Sequence, residues 1–472
     1  LNLRKEVKPM LQDDIQSLQI HLPEDIANAK GCGDFERAQR LIDARLSDIR
    51  TPKFLLPRLR AEKAILTRLP LDYTYTIAEA VSLVQQDIPD FNEAEFNELM
   101  DAGAIDWIYI HGTPHIAARF YETLLKVNPL IARRAGKEGD FEALPGTQLL
   151  NRNMQQMKEL GGVCRHIRIR AKLQIKDSAF RPGQHVRVHM PIPAAAVNMK
   201  NIEILATSPE AVMMSAPSHA QRSVYFEETM QENHPFYVEY AYDCLALNHV
   251  LDPNQVTSNR TAFDTEEELP HICFTPTIRA LCDELKGEEE NPLKIARLFY
   301  DFCTTLVKYS FMREYFTIPE IPEYAALNLK GDCGVQALLF ITLCRCAGIP
   351  ARWQSGLYIT PDSAGAHDWA QFYIAPYGWL FADPSFGGSA YRNGNLDRWN
   401  HYFGSLDPFR MVANSMFQQR MDPLKFQPRL DPYDNQVGEV EYDDQGLLRS
   451  DLTYSWEILE HTERDIHELI TL

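Results

Sequence analysis

Lys330-Gly331-Asp332-Cys333-Gly334-Val335-Gln336 leads into an apolar run that closes at Gly348-Ile349-Pro350. Val335, Leu338, Leu339, Ile341, Thr342, Cys346 and Ala347 recur at helical intervals, and Gly348 and Pro350 punctuate the end. The spacing predicts a helix that begins at Cys333, with Gly331 and Asp332 forming the turn into it. A thiol placed there meets free backbone N–H groups and the positive end of the helix dipole, and both favour the thiolate. Gly334 leaves room beside the sulfur, and the Cys333 N–H can donate to an oxyanion.

The residues that follow predict three strands. Ala351–Ile359 is rich in aromatic and β-branched residues, 361–365 reads as a loop, and 367–374 is a second strand. Pro376-Tyr377-Gly378 makes a turn into a third strand over 379–383. If the second and third strands pair as a hairpin, His367 near the start of one approaches Asp383 near the end of the other. The carboxylate then accepts the proton of one imidazole nitrogen and leaves the other for sulfur. Cys333, His367 and Asp383 are the candidate catalytic residues, because a thiol, an imidazole and a carboxylate are the parts of a nucleophilic cysteine enzyme. Trp353 and Trp369 are candidate walls of the cleft and equally good core residues; Trp379 reads as core. Cys282, Cys303 and Cys344 read as buried core thiols, as lone cysteines in apolar helices usually are.

Gly-Asp-Cys-Gly at a helix start, Cys344-Arg345-Cys346-Ala347-Gly348-Ile349-Pro350-Ala351-Arg352 at its end, then His367-Asp368-Trp369 and Gly378-Trp379 through Asp383-Pro384 resemble the core of the transglutaminase-like superfamily. The resemblance covers about residues 295–390. It implies a papain-like α+β fold with the order Cys, His, Asp, which falls on Cys333, His367 and Asp383. Asp368 departs from the small residue that many members carry after the histidine, adding a charge beside the triad. The continuation Phe403-Gly404-Ser405-Leu406-Asp407-Pro408-Phe409-Arg410 suggests an uncharacterised bacterial branch rather than the animal cross-linking enzymes. The implied chemistry is acyl transfer from an amide or peptide carbonyl through a thioacyl-enzyme. Hydrolysis by a peptidase or amidase is the expected outcome. A protein-glutamine cross-linker is the alternative, and a non-catalytic peptide-binding scaffold is the rival from outside enzymology.

Composition frames this reading. The chain has 472 residues, with 65 acidic against 47 basic side chains and a net charge of −18, which argues against a nucleic-acid backbone or an anionic membrane as the main partner. A protein or peptide substrate is the expected partner. Nine cysteines, odd in number and without a Cys-x-x-Cys pair, favour a reducing compartment, so a cytoplasmic location is expected. The sequence holds no membrane-spanning run, and the chain begins with Leu rather than Met, which leaves room for a removed leader. No cofactor and no metal are expected. Oligomeric state is not legible.

The patterning predicts a multidomain α+β protein. Residues 1–155 read as a helical domain, with helices over 23–30, 34–49, 53–69, 77–86, 92–102 and 114–127. Residues 156–248 change to period two and read as a small antiparallel β-sandwich: Ile167, Ile169, Ala171, Leu173 and Ile175 alternate with basic and polar residues, and Val186, Val188 and Met190 alternate with His185, Arg187 and His189. A metal site at His185 and His189 is disfavoured, since Arg187 lies between them and no acidic or cysteine ligand is adjacent. Residues 249–472 read as the transglutaminase-like domain with a C-terminal extension, including an amphipathic helix over 292–309. Asp431, Asp434, Glu439, Glu441, Asp443 and Asp444 read as an acidic surface loop rather than a calcium site.

Overall fold

Helix starts follow capping residues written in the sequence. Asp34 accepts from the Arg37 N–H and opens Phe35–Ser47; Thr76 and Glu79 form a capping box that opens Ile77–Gln85; Asn92 opens Glu93–Asp101. Each cap satisfies a donor that the helix itself leaves free. The structure, a computed structural model, describes residues 12–139, 141–257, 263–429 and 431–466. It is a mixed helix and strand fold with several antiparallel sheets, and it divides into two compact units.

One unit comprises residues 1–140, 268–275 and 307–335. Its core includes Val84, Phe96, Ile116, Phe120 and Leu124. The expected helix over 114–127 is corrected here: Phe120–Val127 is helical, but Thr113–Ala117 is a strand paired with Trp107–Ile110 and with Tyr73–Thr76. The reason is a tight hairpin. Ile110 pairs with Thr113, so His111 and Gly112 form a two-residue turn, and both have positive φ, at 50° and 75°. That is the twist a hairpin of this length favours. The helix expected over 292–309 also ends early, at Thr305, and Lys308–Tyr309 pairs in parallel with Lys330–Gly331.

The other unit comprises residues 141–267, 276–306 and 336–472. Its central sheet has five antiparallel strands in the order Phe403–Gly404, Gly378–Ala382, Ala364–Ile374, Ala351–Ile359, Arg410–Asn414. Two further antiparallel sheets have four strands each. In one, Gln184–Pro191 lies between Glu439–Tyr442 and Ser223–Met230, with Met213–Met214 outermost. In the other, Gly162–Ile175 lies between Leu452–Arg464 and Phe236–Leu247, with Met199–Ser208 beyond. The period-two residues Ile167, Ile169, Ala171, Leu173 and Ile175 are buried, as their alternation implies.

The expected acidic surface loop is corrected at Glu439 and Glu441, while Asp443 and Asp444 are exposed. Glu439 and Glu441 are buried on a strand: Glu439 takes Lys425 at 2.8 Å and Arg429 at 2.9 Å, and Glu441 accepts the backbone N–H groups of Phe426 and Gln427 at 3.1 and 2.8 Å. These carboxylates persist in the interior because each has donors that replace water. Cys282, Cys303 and Cys344 are buried, as read from the helix patterns. Among the described residues no helix is long and apolar enough to cross a membrane.

Candidate active site

Glycines let the helix that carries Asp383 at its start approach its neighbour. Pro384–Arg392 packs on Pro292–Thr305, and a Cβ on Gly387 would meet the Tyr300 hydroxyl at 1.9 Å. Asp383 is the N-cap of this helix and accepts the Phe386 N–H at 2.8 Å through Oδ1. Its other oxygen is thereby turned toward the sheet. The hairpin between Ala364–Ile374 and Gly378–Ala382 pairs Ala370 with Ala382 and Ile374 with Gly378. That register carries His367 to Asp383, with Nε2 to Oδ2 at 2.7 Å and both residues buried. With Nε2–H donating to the carboxylate, Nδ1 holds the lone pair.

Cys333 stands at the first position of the helix Cys333–Cys346 and is half-buried. The Asp332 carboxylate accepts the Val335 N–H at 3.2 Å and takes a hydrogen bond from the Tyr315 hydroxyl, which holds the turn in front of the thiol. Gly331 is tied into the short parallel pairing with Tyr309. From Val335 to Arg345 the helix is buried on every side, so its start is held by its own packing.

Behind His367 and Asp383 lies a buried cluster that sequence reasoning passed over. Arg410 is wholly buried. One terminal nitrogen donates to Asp383 Oδ2 at 2.8 Å, and Nε reaches both oxygens of Asp407 at 3.1 Å. Asp407 also accepts the Tyr402 hydroxyl at 2.9 Å and the Phe409 N–H at 3.1 Å. The guanidinium is ringed by Phe386, Trp369, Tyr358 and Tyr402 at 4.7 to 5.8 Å from the ring centres. A cation so enclosed keeps its charge only because two carboxylates and four aromatic faces replace water. The signal was present in the quoted run Leu406-Asp407-Pro408-Phe409-Arg410, but a charged pair in a sequence reads as surface until its burial is known.

The electrostatics follow from that burial. Burial drives the His367 imidazolium down; the charge and hydrogen bond of Asp383 push it up, Arg410 opposes them, and the net is below the ordinary 6.5. Burial alone would raise Asp383, but the charges of His367 and Arg410 and the hydrogen bonds from His367 and the Phe386 N–H hold it below the ordinary 3.8. Asp383 is therefore a carboxylate at neutral pH.

Trp369 is wholly buried, and its indole N–H donates to Gln354 at 2.8 Å. Trp353 is 2% exposed and packs edge-on against Phe417. The ring of Phe386 lies 4.4 Å from that of His367. Asp368, the departure beside the histidine, accepts a hydrogen bond from Gln436 at 2.5 Å, and Gln436 also donates to the His367 carbonyl. His185 and His189 take different partners: His185 pairs with Asp443 and Glu227, each at 3.2 Å, and buried His189 bonds the Pro423 carbonyl at 2.8 Å. No group of three or more His, Cys, Asp or Glu suited to a metal occurs among the described residues.

Residues 279–384 match the transglutaminase-like superfamily, so the chain carries a transglutaminase-like domain that contains Cys333, His367 and Asp383. An uncharacterized protein of Haemophilus influenzae is 25% identical over 161 residues, which is 29% of this chain and 44% of that protein's length. In structure, a proposed cysteine protease from Cytophaga hutchinsonii aligns at a TM-score of 0.40 and 15% identity, over 64% of this chain and 91% of that one. The periplasmic domain of TgpA from Pseudomonas aeruginosa aligns at 0.28 and 15% identity, over 53% of this chain and 96% of that one.

Proposed function

We propose that the transglutaminase-like domain works as a cysteine-nucleophile acyl-transfer enzyme on amide or peptide carbonyls, with hydrolysis as its outcome. The observation that carries the reading is the buried His367–Asp383 pair, Nε2 to Oδ2 at 2.7 Å, in a chain whose helix start presents Cys333. Asp383 holds the imidazole in one tautomer with Nδ1 facing the nucleophile's task, and the cysteine at a helix start supplies the thiolate.

In this reading the Cys333 thiolate adds to the carbonyl carbon and the C=O π pair moves to oxygen. The Cys333 N–H donates to that oxyanion. As the oxyanion collapses, the C–N bond breaks and His367 gives its Nδ1 proton to the departing amine, leaving a thioacyl-enzyme. His367 then takes a proton from water as its oxygen adds to the thioester. The C–S bond breaks, the acid departs, and the thiolate–imidazolium pair is restored. A primary amine in place of water gives the cross-linking reaction with the same proton bookkeeping. The substrate class is protein or peptide, and the chemistry calls for no cofactor.

The test is a screen of peptide amides and glutamine-containing proteins, with and without an added primary amine. Ammonia release marks deamidation, new amino termini mark peptide cleavage, and amine incorporation marks cross-linking. Activity that persists in Cys333→Ala overturns the assignment. Persistent silence toward every substrate, together with a Cys333 that iodoacetamide does not alkylate, favours the binding scaffold.

A further inference from the structure

Four charged or chargeable groups share one buried volume: His367, Asp383, Arg410 and Asp407. Asp383 and Asp407 carry two negative charges and Arg410 one positive, a sum of −1 that a protonated His367 brings to zero. The division of labour within the cluster is visible in its bonds. Asp407 engages Arg410 through both oxygens and is further held by Tyr402 and the Phe409 N–H. Arg410 has a nitrogen left for Asp383, at 2.8 Å, on the same Oδ2 that faces His367. Oδ1 is already occupied by the Phe386 N–H. The Asp383 carboxylate is thus held at three points, and its rotation about the Cβ–Cγ bond is fixed.

A lone arginine beside Asp383 would work against the histidine. Its charge would cancel that of the carboxylate, and nothing in the cluster would then favour the imidazolium. Asp407 removes this difficulty by cancelling Arg410. The rings of Phe386 and Trp369 that pack by His367 are uncharged, and the carboxylate of its chain neighbour Asp368 is turned to Gln436. The phenols of Tyr358 and Tyr402 lie within the same aromatic shell, Tyr300 packs against Gly387 of the Asp383 helix, and burial holds each well above its ordinary value, so they stay neutral.

We propose that Arg410 and Asp407 are positioning residues of the candidate active site: Arg410 fixes the Asp383 oxygen that His367 uses, and Asp407 neutralises Arg410 so that the Asp383 charge remains available to the imidazolium. The proposal rests on the acyl-transfer reading and extends it to two residues outside the expected triad. It also gives the Asp407-Pro408-Phe409-Arg410 run a task. The two residues sit at the entrance to the strand Arg410–Asn414, at the sheet edge next to Ala351–Ile359, so the sheet itself delivers the guanidinium to Asp383.

The experiment is a nuclear magnetic resonance titration of the full chain labelled at histidine, with His367 identified by its loss in His367→Gln. Two signals are followed: the pH midpoint of the His367 ring, and the downfield proton on Nε2 that reports the bond to Asp383. In Asp407→Asn the uncancelled guanidinium lowers the midpoint by about one pH unit or more. In the paired variant Arg410→Met with Asp407→Asn the midpoint returns toward wild type, because Asp383 again stands alone, but the Nε2 proton broadens or is lost because the carboxylate is no longer pinned. The paired variant removes one charge of each sign and so keeps the net charge of the cluster, and it decides the positioning half even where Asp407→Asn does not fold. An unchanged midpoint in Asp407→Asn, or a sharp Nε2 proton in the paired variant, overturns the proposal. A failure of the acyl-transfer reading registers separately, as a wild-type Cys333 that iodoacetamide alkylates no faster than the other cysteines.

Discussion

Replacing Asp383 by Asn changes one oxygen to an amide nitrogen and tests the site at its most constrained point. The wild-type carboxylate accepts three donors: Phe386 N–H at 2.8 Å, His367 Nε2 at 2.7 Å and Arg410 at 2.8 Å. An asparagine oxygen can serve the Oδ1 side or the Oδ2 side, and in either orientation its NH2 points at a donor. With the oxygen toward Phe386, the NH2 faces both His367 and Arg410. His367 can escape by moving its proton to Nδ1, whereas Arg410 has no acceptor to offer. The loss is two charge-assisted bonds at about 1.5–3 kcal/mol each, so about 3–6 kcal/mol of stability at neutral pH. Asp383 has a depressed folded pKa, so its contribution is present above the ordinary 3.8 and is lost as pH falls through the folded value. The gap between wild type and variant should therefore be widest near pH 7 and close in acid. Urea unfolding at a series of pH values measures it. The tautomer switch should also cut acyl transfer by about 10⁴-fold, since Nδ1 is then already protonated. A stability loss under about 1 kcal/mol at pH 7 would mean that the three bonds are not made together, and the argument from Asp383 would fall.

Gly387→Ala should destabilise the chain by about 1–3 kcal/mol despite the better helix former, because its Cβ meets a Tyr300 ring that is buried and tied to the Trp399 carbonyl. Thermal unfolding reads this, and a variant as stable as wild type refutes it. Burial lowers His189 and His401 to about 4 and His271 to about 3. The unfolded chain then binds more protons than the folded one between the ordinary 6.5 and those values, so stability should fall as pH drops from about 6.5 to about 4. Flat urea midpoints across that window would contradict it. Among the cysteines, Cys333 should be alkylated fastest by iodoacetamide near neutral pH, since burial pushes the Cys303 and Cys344 thiols up. Mass spectrometry showing any other cysteine modified ahead of Cys333 would refute this.

Several elements were legible because their signals are local. The period of Val335 to Ala347 and the stop at Gly348-Ile349-Pro350 mark the helix Cys333–Cys346, and the alternation from Ile167 to Ile175 marks a strand. The Pro376-Tyr377-Gly378 turn joins two neighbouring strands, so the register that brings His367 to Asp383 depends on a short stretch of chain. Trp107-Ile108-Tyr109-Ile110-His111-Gly112-Thr113 carried an equally local hairpin signal, which the helical pattern after Phe120 obscured.

The amino-acid sequence by itself determined which residue types stand at the helix start, the strand start and the strand end. Those assignments rest on interactions within a few residues, and hairpin closure over a short loop costs little chain entropy. Only the tertiary structure decided the rest. Strand Leu452–Arg464 pairs with Gly162–Ile175, and Glu439–Tyr442 with Gln184–Pro191, across hundreds of residues that no period marks. Arg410, Asp407, Glu439 and Glu441 look like surface charges in one dimension. They are interior because donors and acceptors from distant segments replace their water, and no local pattern records where those partners will come from.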